Sequence, residues 1–214
     1  MTFYTELKYN PKTECLVLRA CSEDLTSRDG FSWKAKHVKA PDWSPTPSCG
    51  QGLHGWLEGQ GDPSAWEHRD SDKWLILAVK KRTVVDLGGK VKFPAARKLY
   101  IGSRDEVTTL LASLLPGVAI MFATATAANY GTATAGYKGT ATAGDKGTAT
   151  AGNYGTATAG YKGTATAGDY GTLQIKWWDT KASRYRIATA YVGEEDIKAN
   201  VSYKLDENHQ FVRA

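Results

Sequence analysis

Cys49 and His54 stand five positions apart in "SCGQGLHG", the residue pair from which a thiolate and its base could be built. Such a nucleophile needs the imidazole beside it and a third group that orients the ring. No Asn or Asp is placed for that task, and the Pro-rich "APDWSPTPS" before the pair marks a loop, so thiol chemistry is not expected. Residues 50–55, "GQGLHG", also satisfy G-x-G-x-x-G. A dinucleotide fingerprint requires a strand before those glycines and a helix after them, and here a loop precedes them. His37, His54, His68 and His209 contain no H-x-x-x-H pair that would set two ligands on one helix face, so no metal site is expected.

The chemistry that the sequence does offer is a lattice of hydroxyls. Six octets starting at Ala123, Gly131, Gly139, Gly147, Gly155 and Gly163 each read (G/A)-T-A-T-A-(G/A)-x-(Y/K). A short fixed period is the mark of a stacked array. In an extended strand "TATA" sends every threonine to one side and every alanine to the other. Where the repeat decays, "GTLQIKWW" puts Leu173 and Ile175 at alanine positions, so alanine faces inward. The flanking glycines are expected to supply the turns. An interior of methyl groups calls for walls closer than the usual ~10 Å between sheets, hence a flat coil with two octets per turn. The seventh position runs Asn129, Tyr137, Asp145, Asn153, Tyr161, Asp169, a period of three octets. That leaves open a three-walled coil, in which Asp145 and Asp169 would repel at ~4.8 Å, and a meander of hairpins with "GYKG" turns. Two walls are preferred.

The expected organisation is an α+β domain over residues 1–116, an Ala-cored β-solenoid over 117–176 and a small β cap over 177–214. In the first, "ECLVLRA", "KWLILAV", "RTVVDL" and "RKLYIG" read as strands and "RDEVTTLLASLL" as a helix. In the last, "RYRIATAYVG", "VSYKLD" and "FVRA" read as strands, with Trp177 and Trp178 shielding the end of the solenoid. The net charge of +5 is scattered, so nucleic acid is not indicated. The longest apolar run, "LLASLLPGVAIMFA", is short of the roughly 20 residues of a membrane span, and the start of the chain lacks the apolar core of a secretory signal. A cytoplasmic location without membrane contact is expected, with three reduced cysteines, Cys15, Cys21 and Cys49.

The expected binding surface is the outward face and corners of the repeat: Thr132, Thr134, Tyr137, Thr148, Thr150, Tyr154, Thr164, Thr166 and Tyr170. It would serve recognition of a protein partner or self-association. Outward Thr-x-Thr ladders also resemble those of ice-binding solenoids, a second use. "CGQGLHGWLEGQGD", "DLGGKVKFP", the octets and "RYRIATAYVGEEDIKANVSYKLDENHQF" together resemble a family of bacterial and phage proteins that brings no established chemistry. That resemblance implies a phage-linked accessory protein acting in the host cytoplasm, with interference in a host process as its role. The order "LVLRAC", "GLHGW", "DPSAW", "VVDLGGKVKFP", "LYIGSRDEV" resembles small mono-ADP-ribosyltransferases, which hold NAD in a cleft. This resemblance implies a cation or donor for the pyrophosphate or ribose, an aromatic for nicotinamide and a carboxylate for the oxocarbenium-like transition state. Arg19, His54 or Trp56, and Asp86 or Glu106 are the residues available for those roles. Without that chemistry no cofactor is expected.

Overall fold

The computed structural model describes residues 7–61, 63–64, 66–67 and 69–214, which form two compact units, Met1–Leu111 and Ala112–Ala214. His68, and Asp62 and Ala65 within "DPSAW", lie outside the described residues.

The first unit is β-rich. Its centre is the antiparallel pair β1 (Glu14–Cys21) and β4 (Lys73–Lys80), in register over all eight residues of each. Their inner runs are apolar, broken only by Arg19 in β1, because both faces are covered. Leu16, Leu18, Trp74 and Ile76 are buried on one face, and Val17, Leu75, Leu77 and Val79 on the other. With β2 (His37–Lys39), β3 (Leu53–Leu57), β5 (Val85–Asp86), β6 (Val91–Phe93) and β7 (Ala95–Gly102) they make a seven-stranded sheet in the order β2-β7-β4-β1-β3-β6-β5. "RTVVDL" yields less strand than expected: Lys81–Thr83 is a single 3-10 turn, and only Val85 and Asp86 pair. The helix α1 (Arg104–Leu114) starts on a capping box. The Ser103 N–H donates to Glu106 Oε2 at 2.9 Å, and the Glu106 N–H donates to Ser103 Oγ at 3.3 Å.

The second unit is the solenoid and its cap. Strands β8 (Thr124–Ala127), β10 (Thr140–Ala143) and β12 (Thr156–Ala159) stack in parallel on one wall. Strands β9 (Thr132–Ala135), β11 (Thr148–Ala151) and β13 (Thr164–Ala167) stack on the other. Each residue lies over its equivalent sixteen positions away, Thr140 between Thr124 and Thr156, so the coil has two walls. The alanines of β9 to β13 are all 0–3% exposed and form one core with Leu173 and Ile175. Asp145 therefore stacks between Asn129 and Tyr161, and no aspartate faces another.

The turns differ from the expectation in their mechanism. In each "G-x-(Y/K)-G" step the last glycine N–H donates to the first glycine carbonyl, as from Gly139 to Gly136 at 3.0 Å. The left-handed φ that such a turn demands falls on Tyr130, Lys138, Lys146, Tyr154, Lys162 and Tyr170, at 51° to 62°. The glycines are there for clearance. A Cβ on Gly152 would meet the Gly136 carbonyl carbon at 2.7 Å, and one on Gly139 would meet Ala135 Cβ at 2.8 Å.

Both walls end in antiparallel caps. β14 (Thr172–Asp179) lies on β12 and turns back as β15 (Arg184–Tyr191), while β16 (Ser202–Leu205) lies on β13 and pairs with β17 (Phe211–Arg213). Leu173, Ile175, Ile197 and Tyr203 close the alanine core. Of the two tryptophans, Trp177 keeps the inward side and stacks on His209 at 3.8 Å, whereas Trp178 is 39% exposed on the outer face and shields nothing. Period-two alternation from Leu173 onward carries Trp178 outward with the threonines.

Deleting residues 139–154 removes one full turn and rejoins equivalent positions, so the protein should melt cooperatively with its cap drawn in by ~4.8 Å. Deleting residues 139–146 alone puts the next strand on the wrong wall and should abolish the cooperative transition. Ala149→Asp buries an unpaired charge and should cost several kcal/mol, while Thr148→Ser should leave the denaturation midpoint within error.

Candidate functional site

The regular element that the chain exposes is the threonine lattice. Rungs repeat at roughly 4.8 Å across strands and about 6.7 Å between alternate residues along one. Parallel register keeps like over like on both walls. Thr132, Thr134, Thr148, Thr150, Thr164 and Thr166 make three consecutive rungs on the β9, β11, β13 wall, so that part of the expected surface is one continuous face. Thr166 shares a hydrogen bond with Ser202 at 2.8 Å, and on the opposite wall Thr158 donates to Gln174 at 3.0 Å. Apart from these two contacts, the wall threonine hydroxyls have no hydrogen-bond partner among the described residues. Such hydroxyls are left available to solvent.

The two walls differ in what continues them. Beyond β12, the outward positions are Thr172, Gln174, Lys176 and Trp178, opposite Tyr191, Thr189, Ile187 and Tyr185. Trp178, Tyr185, Ile187 and Tyr191 are exposed and rise above the threonine plane. Beyond β13, the outward positions are Ser202 and Lys204, with Val212 opposite Lys204, and none is aromatic. The second wall is therefore the one that continues without exposed aromatic rings.

Each narrow edge is built by a side-chain ladder. Asn129 Oδ1 accepts the Asp145 N–H at 2.9 Å, Asp145 Oδ1 accepts the Tyr161 N–H at 2.9 Å, and Asn153 Oδ1 accepts the Asp169 N–H at 3.0 Å. On one edge Tyr137, Tyr154 and Tyr170 follow one another at centroid separations of 5.6 and 5.1 Å, with Lys138 over the first two rings. These are the three tyrosines of the expected surface, and Tyr170 is 74% exposed.

In the first unit the residues considered for an NAD cleft do not converge. Trp56 is buried and stacked on Trp74 at 6.0 Å. Asp86 is exposed and accepts the Gly88 N–H at 2.9 Å, an ordinary turn contact. Glu106 is committed to the α1 cap, which lowers its pKa through the Ser103 hydrogen bonds. Arg19 and His54 do meet: Arg19 Nη1 donates to the His54 carbonyl at 3.3 Å, and both line one pocket. Burial, reinforced by Lys90, Arg19 and Lys92, lowers the His54 pKa, so the ring is neutral at pH 7, and its Nε2 accepts the Gly50 N–H at 3.4 Å. "GQGLHG" is followed by strand β3 and not by a helix, which removes the dinucleotide reading. Among the described residues there is no group of three potential metal ligands, and no helix is long and apolar enough to cross a membrane.

No protein-family model matches the chain, and no solved structure matches it. Similarity is found to ice nucleation proteins. That of Xanthomonas campestris pv. translucens is 28% identical over 117 residues, covering 52% of this chain and 8% of that protein. Those of Pseudomonas syringae and Pseudomonas syringae pv. syringae are each 30% identical over 94 residues, covering 42% of this chain and 8% of the relative. The chain thus spans less than a tenth of the length of the relatives it matches. Neither a phage link nor ADP-ribosyl transfer finds support among them.

The three thiols should react very differently. Burial raises the pKa of Cys15, and that of Cys21 to about 11, whereas Lys90 Nζ donates to the exposed Cys49 Sγ at 3.1 Å and lowers its pKa. A lowered thiol pKa means more thiolate at neutral pH. Iodoacetamide should alkylate Cys49 first, with Cys15 and Cys21 protected until unfolding. Lys90→Met should slow the Cys49 reaction several-fold, as read by mass spectrometry.

Proposed function

We propose that the solenoid is an ice-binding module and that the β9, β11, β13 wall is its contact face. The observation that carries this reading is the lattice of threonine hydroxyls and methyls, repeated in two directions and without protein partners for most of its hydroxyls. Water held on such a face takes the spacing of the rungs, and a face with fixed rungs loses no entropy when that water becomes a lattice. The similarity to proteins named for ice nucleation supports the same reading. Six octets make a small surface, which suits adsorption to ice that already exists better than creation of a new crystal.

A second reading, recognition of a protein partner or of another copy, is favoured by the exposed aromatic edge at Tyr154 and Tyr170. It calls for a complex that depends on those rings and not on the threonine walls. An NAD-dependent reaction is not carried forward, because the aromatic and both carboxylates it needs are engaged elsewhere.

The wild-type chain should partition into slowly grown ice and retard recrystallisation of a frozen sample. Thr150→Tyr, a bulky ring at the centre of the contact wall, should cut that activity by an order of magnitude while leaving the melting temperature close to wild type. Thr142→Tyr on the opposite wall should retain it. An inactive wild-type chain, or retention of activity in Thr150→Tyr, would contradict the reading.

A further inference from the structure

Arg19 is an anomaly in the first unit. Its guanidinium lies over the rings of Trp33 at 5.3 Å and Trp66 at 5.5 Å, and its Nε is sealed from solvent without a hydrogen-bond partner among the described residues. Of its five N–H donors, two are placed: Nη1 on the His54 carbonyl at 3.3 Å and Nη2 on Ser27 Oγ at 3.0 Å. Among the described residues no carboxylate pairs with it. A largely enclosed cation with no paired carboxylate is unfavourable; Asp29 acts on it without pairing, and ring faces compensate it only in part.

The surroundings supply a cavity of about 360 Å³, near the lower end of the range for small-molecule sites, with Arg19, Ser27, Phe31, Trp33, Leu53 and His54 in its wall. Ser27 Oγ accepts from Trp33 Nε1 at 2.7 Å and from Arg19 Nη2. With both lone pairs used, its own proton is left as a donor, and no described residue accepts it. The pocket therefore presents a fixed cation and a hydroxyl donor beside an aromatic wall, with the Arg19 Nε enclosed behind it. Asp29 and Asp42 also line it, and their charge disfavours an extended polyanion over a compact ligand.

We propose that this pocket binds a small molecule through an oxyanion, a phosphate or a carboxylate, with Arg19 as its anchoring cation and Ser27 as its second donor. Bidentate acceptance from a guanidinium is the geometry that carboxylate and phosphate share. The aromatic wall then receives the ligand's apolar or planar body.

The test uses the full chain, ¹⁵N-labelled, titrated with inorganic phosphate, adenosine monophosphate and benzoate while the Arg19 Nε–H resonance and tryptophan fluorescence are followed. Saturable movement of that resonance with at least one probe is expected. A response to the two phosphates alone, or to benzoate alone, identifies which oxyanion the pocket takes. Arg19→Met should abolish the response, and Ser27→Ala should weaken the apparent affinity several-fold. A resonance unmoved by all three probes at millimolar concentration overturns the proposal, as does undiminished binding by folded Arg19→Met. The resonance in the wild-type chain decides the matter even where Arg19→Met fails to fold.

Discussion

An interior one methyl deep governs the architecture of the second unit. Alanine at every inward position lets the walls approach until the turn backbone itself becomes the limit, and there only glycine fits, as the contact from Gly139 to Ala135 shows. Side chains of that size bury little area, so most of the cohesion must come from backbone hydrogen bonds, each worth about 1 kcal/mol net. The coil collects them even at its corners: the Tyr130 N–H reaches the Asp145 carbonyl at 2.9 Å, and the Lys146 N–H reaches that of Tyr161 at 2.8 Å. Register follows from the same constraint. A slip of one residue would drive threonine hydroxyls inward and alanine out.

The mismatch between a three-octet sequence period and a two-octet coil has a physical use. Stacking at sixteen residues places Asn under Asp and Asp under Tyr, so an Asx oxygen stands below the next backbone N–H at three of the four steps. At the seventh position no aspartate stacks on another, whereas at the eighth Lys146 lies under Lys162. The tyrosines and lysines that follow hold left-handed backbone that their Cβ atoms disfavour, at a typical cost of about 1–3 kcal/mol per residue. Glycine would relieve that strain, yet each edge keeps a ring or an ammonium group there. Their exposure, 73% for Tyr130 and 74% for Tyr170, places that retained chemistry at the surface.

Much of this was legible in the letters and some was not. Strict TATA alternation and its decay to Leu173 and Ile175 revealed which face is inward, because period two is a property of the strand itself. The number of walls followed from the volume of a methyl group. The role of glycine was misassigned, since a sequence does not separate a need for left-handed φ from a need for clearance. Ser103 and Glu106 stand at the S-x-x-E spacing of a capping box, which the letters alone show and which accounts for Glu106 at the helix start. Trp177 and Trp178 were read as a cap on composition alone, although alternation from Leu173 already sent Trp178 outward. Arg19 is legible as a charge within the apolar run of β1, but its place against Trp33 and Trp66 depends on loops distant in sequence, and no spacing rule reports that.

The account rests on a coil of sixteen residues with alanine inside, and methyl–methyl nuclear Overhauser effects in a chain labelled at alanine test it most directly. Stacked strands on one wall should connect Ala149 to Ala133 and to Ala165, sixteen positions away in each direction, and the core should add cross-wall contacts to the neighbouring octets. Contacts at a spacing of twenty-four residues, or contacts confined to adjacent octets with none at sixteen, would contradict the two-walled solenoid and the threonine lattice built on it.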